Sequence, residues 1–314
     1  MPLKEPIGRL APSPTGLLHV GHARSFLLAW WSIRSRGGTL RLRLEDLDTS
    51  RVKPGMEEAC LRDLEWLGLD WDGPLLRQSE RRDELLGVAH QLLRDGRAYP
   101  CVCTRREIAE ALSAPHGPLA GGVYPGTCRG QYADLESARR ASGREPALRL
   151  QVEPGVVRVR DLLAGELAQD VAREVGDFPI TSRDGQPAYQ LAVVVDDAHQ
   201  GVTEVLRGDD LLESTPRQRY LQELLGLEVP TWVHVPLVLD VDGQRLAKRH
   251  DALSLEALRG AGIDPRCLVC WLARSAGLPA PERATAAELV ALYDPASIPR
   301  EAVIFDPEAL SPGT

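Results

Sequence analysis

Two histidines three positions apart, His19 and His22, stand behind the turn-forming run Pro12-Ser13-Pro14-Thr15-Gly16 and at the head of a helical pattern. Between a strand and a helix such a segment offers backbone N–H groups and the positive end of a helix dipole, both of which attract phosphate. The two imidazoles would act as further donors. Glycine at 21 would let a flat adenine ring approach the backbone, and glycine at 16 would permit a turn closed to bulkier residues. Strand-to-helix turns often contain Gly and Pro, however, and a histidine near a helix start can simply satisfy backbone groups, so this segment alone leaves both readings open. Far along the chain, Arg245-Leu246-Ala247-Lys248-Arg249 follows a predicted strand. A cationic loop is what phosphoryl chemistry uses to stabilise charge.

A second set of residues has metal-ligand character. In Cys101-Val102-Cys103 two thiolates one residue apart can grip one ion, and a distant pair can complete a tetrahedron. The same pattern fits two half-buried cysteines near a loop. Cys267 and Cys270 have CxxC spacing but lie in an apolar helical pattern with Leu268, Trp271 and Leu272, without a second ligand pair, and read as core thiols. Six cysteines in 314 residues, unevenly spaced, form no disulfide framework.

The elements that must hold these groups are legible in outline. Gly8-Arg9-Leu10-Ala11 reads as a short buried strand, and Phe26, Leu27, Trp30 and Ile33 recur at helical spacing until Gly37-Gly38 stops them. Leu40, Leu42 and Leu44 alternate with Arg41 and Arg43, a half-buried strand ending in Glu45-Asp46. Strand, helix, strand is a βαβ unit. Helical patterns over 54–67, with Pro54 placed for an opening turn, and over 81–93 would cover a parallel sheet. A Gly- and Pro-rich stretch from Ala114 to Gly130 marks an insertion, with short strands at 147–152 and 156–160. Residues 189–195 and 203–207 resume α/β material, and Ser214 caps a helix to Leu225. Residues 233–239 form a strand, and short helices and a Pro-rich tail close the chain.

The composition excludes several classes. A formal net charge of −8 argues against a general nucleic-acid coat, although a local basic patch for one structured RNA remains open, with Arg105, Arg106, Arg129, Arg139 and Arg140 as candidates. No run approaches about 18 apolar residues and no signal peptide opens the chain, so a cytoplasmic protein that meets no membrane is expected. The absence of a heptad run or exposed apolar stripe makes a monomer the expectation.

Taken together the motifs resemble the class I aminoacyl-tRNA synthetases. His19-Val20-Gly21-His22 is similar to their His-Ile-Gly-His element, and Leu246-Ala247-Lys248-Arg249 to their Lys-Met-Ser-Lys-Ser loop, with Ala247 where serine is usual. Arg9 to Gly16, Leu44 to Asp48, Val193 to Asp197 and Leu206 to Asp210 narrow the resemblance to glutamyl-tRNA synthetases, over about residues 7 to 260. The resemblance implies an α/β fold: a Rossmann-type parallel sheet (1–98 and 189–250), an inserted zinc-bearing, acceptor-type subdomain (99–188), and a truncated helical stem-contact region (251–314) without an anticodon-binding domain.

The implied substrates are L-glutamate and ATP with Mg²⁺. Glutamate's two carboxylates need cations and its ammonium an acid. The resemblance gives Arg9 and Arg207 to the carboxylates, Glu45 to the amino group and Tyr189 to the pocket wall, with Ala11 and Ser13 beside them; for Arg9 and Glu45 an ion pair at strand ends is the plainer alternative. ATP falls to Pro12, Gly16, His19, Gly21, His22 and Lys248, with His19, His22 and Lys248 stabilising phosphate charge. Cys101, Cys103, Tyr124 and Cys128 would bind one structural Zn²⁺. The chain ends soon after the Lys248 loop, so it is most similar to the short paralogues that activate glutamate without tRNA and attach it to the queuosine base of tRNA(Asp). A truncated enzyme charging tRNA(Glu), a non-catalytic nucleotide- or tRNA-binding paralogue, and another nucleotidyltransferase are the alternatives.

Overall fold

The computed structural model describes residues 5–104, 106–108, 123–246 and 253–310. The chain opens with β1 (Ile7–Leu10), α1 (Val20–Arg34) and β2 (Thr39–Leu44), the expected βαβ unit. β1 and β2 run parallel, in register from Ile7 opposite Thr39 to Leu10 opposite Leu42. Then follow α2 (Met56–Trp66), β3 (Leu76–Arg77), parallel to β2, and α3 (Arg82–Arg94). Helix α1 ends where Gly37 turns left-handed (φ 66°) and the Gly38 N–H bonds to the Ile33 carbonyl at 3.0 Å, a turn that glycine adopts without steric cost.

After α3 come β4 (Ala98–Cys101), α4 (Leu135–Ser142), β5 (Ala147–Leu150), β6 (Val156–Asp161), β7 (Gly165–Asp170) and the short α5 (Val171–Glu174), within the stretch expected to be an insertion. β4 pairs antiparallel with β5, and β6 with β7. Next come α6 (Tyr189–His199), β8 (Glu204–Gly208), α7 (Thr215–Leu224) and β9 (Thr231–Val235). β8 and β9 are parallel, and β6 joins β9 in the ladder at Asp161 opposite Trp232, beside bonds from the Leu162 N–H to the Trp232 carbonyl at 2.9 Å and from the His234 N–H to Asp161. β1 lies beside β8, tied by the Thr203 N–H to the Ile7 carbonyl at 2.8 Å.

The predicted strand over 233–239 is broken at Pro236, which has no N–H to give a ladder, so β10 (Val238–Leu239) starts afresh. It pairs with β11 (Val303–Ile304), which follows α8 (Leu255–Gly260) and α9 (Pro265–Ser275). Ser214 does not cap α7. A preceding 3-10 turn over 209–214 leads directly into the helix, and the Ser214 hydroxyl accepts instead from Gln190 and Arg217. Pro54 precedes α2, whose cap position is the left-handed Gly55.

Helix α1 is buried on nearly every side because it sits between the sheet and α9. Leu27, Leu28 and Trp31 share one apolar cluster with Leu268, Leu272 and Phe305. The polar groups this burial traps are satisfied: the Trp31 indole donates to the Ala286 carbonyl at 2.8 Å, and the buried Arg24 donates to the Pro236 carbonyl and to Ser275. Leu268, Leu272, Ser275, Ala286 and Phe305 are thus packed against or bonded to the helix whose first turn carries the two histidines. Cys270 is buried in this cluster, as a core thiol should be.

Candidate active site

At the C-terminal ends of β1, β2 and β8 opens a cavity of about 740 Å³. Its wall includes Arg9, Ala11, Pro12, Ser13, Gly16 and Glu45 from the edge of β1 and β2. His19, Gly21 and His22 come from the start of α1, Tyr189 from the start of α6 and Arg207 from β8. The carboxyl ends of parallel strands are where α/β sheets bind ligands. Lys248 and Ala247 lie outside the described residues. Of the residues that flank them, Leu246 lines the cavity and Leu255 donates its N–H to the Leu18 carbonyl beside His19.

The histidines are held by the helix start itself. His19 is the N-cap of α1, and its Nδ1 accepts from the Gly21 N–H at 3.1 Å, while His22 Nδ1 accepts from the His19 N–H at 3.2 Å. Because both Nδ1 atoms accept, each neutral ring carries its proton on Nε2 as a donor. The rings stack with centroids 3.7 Å apart. Burial pushes His19 down to about 4; burial, followed by the neighbouring His19, pushes His22 down to about 3, although part of the His22 ring is open to the cavity. Both are neutral donors at pH 7. A methyl group at 21 would stand 3.0 Å from His19 Cε1 and 3.1 Å from its Nδ1, so the folded-over His19 ring would have to give by a few tenths of an ångström to admit it. Gly16 does not have the special turn expected of it: it keeps a negative φ, and a side chain there would meet open space.

Arg9 and Glu45 are not partners of each other. The buried Arg9 donates from Nη1 to the Leu206 carbonyl at 3.1 Å and has Nε 3.6 Å from Asp197 Oδ1. Glu45 instead takes a 3.2 Å bond from Arg43, whose other nitrogen reaches Asp197 at 2.8 Å and Gln200 at 3.0 Å. Although burial works against the charge, the Asp197 and Glu45 carboxylates push the Arg43 guanidinium further up. Tyr189 is 38% exposed, open at the cavity wall in the first turn of α6. Two turns on, the same helix supplies the buried Asp196 and Asp197.

Arg207 is fixed on three sides. Its Nε donates to His234 Nε2 at 3.0 Å, and its Nη2 to Thr215 Oγ1 at 3.1 Å and the Leu211 carbonyl at 3.3 Å. Behind it, His234 Nδ1 lies 2.6 Å from Asp161 Oδ2. The supporting roles of Arg43, Asp161, Asp197 and His234 escaped the sequence reading. Arg43 was taken for the solvent face of an alternating strand, yet it is fully buried. The available signal was on α6, where two adjacent acids directly follow the apolar run Val193-Val194-Val195 and, once buried, require cations.

The four predicted metal ligands converge elsewhere, in the stretch expected to be an insertion. The Cys101, Cys103 and Cys128 sulfurs lie within 4.8 Å of one another, and the Tyr124 hydroxyl is 3.4 Å from Cys101 Sγ and 3.5 Å from Cys103 Sγ. The 3.4 Å between Cys103 and Cys128 sulfurs is far from a disulfide length. Three soft sulfurs with one oxygen at these separations fit a tetrahedral zinc ion. Burial resists ionisation of Cys101, but its hydrogen bond with Tyr124 and the one it accepts from Arg149 hold its thiol below the ordinary value; burial, then the Cys128 sulfur, pushes Cys103 up to about 12. The Arg149 guanidinium sits 3.9 Å over the Tyr124 ring and donates to Cys101 Sγ at 3.4 Å. Of the arginines suggested as an RNA patch, Arg129 is tied to Asp177, and Arg139 to Glu136 and Glu145.

Among the described residues no helix is long and apolar enough to cross a membrane. Residues 7–294 match the catalytic domain of the class I tRNA synthetases (E and Q). The chain is 51% identical over 305 residues to a glutamyl-Q tRNA(Asp) synthetase of Nocardia farcinica, covering 96% of this chain and 94% of that protein. It is 46% identical over 321 residues to the protein of that name from Symbiobacterium thermophilum, covering 98% and 99%. Among solved structures, a glutamate tRNA ligase of Elizabethkingia meningosepticum, in complex with its amino acid, superposes with a TM-score of 0.83 at 26% identity, over 98% of this chain and 68% of that one.

Proposed function

The chain belongs to the class I tRNA synthetases (E and Q), in the glutamyl-Q tRNA(Asp) synthetase family, and on that footing we propose that it activates L-glutamate with ATP in the absence of tRNA and transfers it to the queuosine base in the anticodon loop of tRNA(Asp). The observation that carries this reading is the grouping of two buried guanidiniums, Arg9 and Arg207, with Glu45 and Tyr189 around the cavity that also holds the two histidines. That set matches an amino acid with two carboxylates and one ammonium.

In the first step an oxygen of the α-carboxylate forms a bond to the α-phosphorus of ATP, the bond to the bridging oxygen breaks, and pyrophosphate leaves. In the second, a hydroxyl of the queuosine cyclopentenediol attacks the glutamyl carbonyl, AMP departs with the bonding electrons, and no covalent enzyme intermediate is needed. Arg9 and Arg207 hold the carboxylates, Glu45 the ammonium, and Tyr189 donates to the bound amino acid. His19 and His22 direct their Nε2–H groups to the phosphates as neutral donors, and Lys248 adds positive charge. Catalysis rests on positioning and electrostatics. Mg²⁺, arriving with ATP, supplies charge neutralisation for pyrophosphate. Cys101, Cys103, Tyr124 and Cys128 would hold a zinc ion, which would brace the surrounding segment rather than take part in the chemistry.

Relatives that align along almost their whole length support tRNA(Asp) as the acceptor. The test is the site of attachment: labelled glutamate should remain on queuosine-containing tRNA(Asp) after its 3′ adenosine is removed. Label that leaves with the adenosine, or appears only on tRNA(Glu), would assign the chain to the tRNA-charging reaction instead.

A further inference from the structure

Arg207 is a donor only, so the ring atom that receives its Nε–H must be a lone pair: His234 Nε2 is unprotonated. The neutral ring therefore keeps its proton on Nδ1, the atom 2.6 Å from Asp161 Oδ2, and donates it there. Asp161 is itself fixed, accepting from the backbone N–H groups of Leu163, Ala164 and His234. With Nε and Nη2 of Arg207 occupied, Nη1 is buried and has no hydrogen-bond partner among the described residues, in a side chain that lines the cavity. A buried donor of a charged group left without a partner is costly unless a ligand completes it. The Trp232 ring, 5.1 Å from the guanidinium carbon, walls another side.

We propose that Asp161 and His234 are positioning residues that set the histidine tautomer and thereby hold Arg207 with Nη1 free for a carboxylate of the substrate. This rests on the reading of Arg207 as a glutamate-binding residue. It also gives the junction of β6 with β9 a role in the chemistry: β6 contributes, through Asp161, to the rigidity of the amino-acid pocket. Replacing Asp161 with asparagine can turn an amide N–H toward Nδ1, which moves the ring proton to Nε2 and sets two donors, Nε2–H and the Arg207 Nε–H, against each other.

The test is glutamate-dependent ATP–pyrophosphate exchange by the full-length enzyme and its Asp161→Asn, His234→Gln, double and Arg207→Gln variants. Asp161→Asn should raise the KM for glutamate by about 10- to 100-fold, the weight of a hydrogen bond to a charged group, and leave the KM for ATP unchanged. His234→Gln keeps an acceptor for Arg207 that no longer depends on a tautomer, so adding Asp161→Asn to it should change the glutamate KM no further. An equal penalty in both backgrounds, or parallel changes in kcat and both KM values, overturns the proposal and leaves Asp161 a structural residue. If Arg207→Gln does not alter the glutamate KM, the reading of Arg207 is what fails, and the relay with it. Independently of any variant, ¹⁵N spectra of the wild-type ring should show His234 protonated at Nδ1 and bare at Nε2; protonation at Nε2 overturns the proposal.

Discussion

Replacing Arg43 with methionine should damage both stability and glutamate binding. Arg43 is fully buried and bridges Asp197 at 2.8 Å and Glu45 at 3.2 Å, while the nearest other cation, Arg9 Nε, stands 3.6 Å from Asp197. Removing one partner of a buried pair leaves an uncompensated charge and costs about 3–5 kcal/mol, more than the methionine regains by packing. At roughly 2 °C per kcal/mol for a chain this long, the thermal midpoint should fall by about 6–10 °C. Glu45 loses the bond that orients it at the cavity, so the glutamate KM in pyrophosphate exchange should rise by about tenfold, the equivalent of one hydrogen bond of about 1.4 kcal/mol. Arg43→Lys tests the geometry, because one ammonium cannot reach two carboxylates with a planar fork, and most of the loss should persist. Circular dichroism melting and exchange kinetics on the same preparations give both numbers. A midpoint within about 2 °C of wild type, with an unchanged KM, would refute the claim that Arg43 organises the site.

Gly21→Ala forces its new methyl against the His19 ring and should slow pyrophosphate exchange by about tenfold or more, since small misplacements of positioned groups are expensive; a wild-type rate would mean that the stacked ring is not needed in place. The histidines also have a pH signature. Their folded values of about 4 and about 3 lie below the ordinary 6.5, so the unfolded chain binds more protons; the stability they contribute is complete above 6.5 and is lost as pH falls through 4 for His19 and on through 3 for His22. Melting scans should show that decline, and a His19→Gln variant should show less of it. Zinc analysis should find one ion per chain, and Arg149→Met should weaken its retention against a chelator by about 10–100-fold, as loss of a supporting contact to metal ligands does. Retention equal to wild type would make Arg149 a bystander.

The elements that position the cavity were legible because their signals are local. Leu27 and Trp30 repeat at helical spacing, Leu40 to Leu44 alternate, and Gly37 marks a stop, so strand–helix–strand around His19 could be read directly. The residues assigned to the cavity came from the resemblance: Arg9, Glu45 and Arg207 lie in its contiguous motifs, and Tyr189 came by analogy alone, all of them placed at the cavity wall. The supports behind them were not legible. Asp161 reaches His234 across 73 positions and Arg43 reaches Asp197 across 154, and no periodicity in one segment reports a partner so far away. Arg43 was misread because alternation assigns a face without saying whether that face is covered; here it packs against α6 and its acids. Ser214 was misread because a serine before a helix looks the same whether the preceding backbone is extended or, as here, already turning.

On the proposed function, this cavity activates glutamate without tRNA. The direct measurement is exchange of labelled pyrophosphate into ATP by the purified, RNA-free protein, with glutamate and, separately, with glutamine and aspartate. Rapid exchange is expected with glutamate alone, lost in Arg207→Gln and unaffected by added tRNA. Exchange that appears only when tRNA(Glu) is supplied would contradict it.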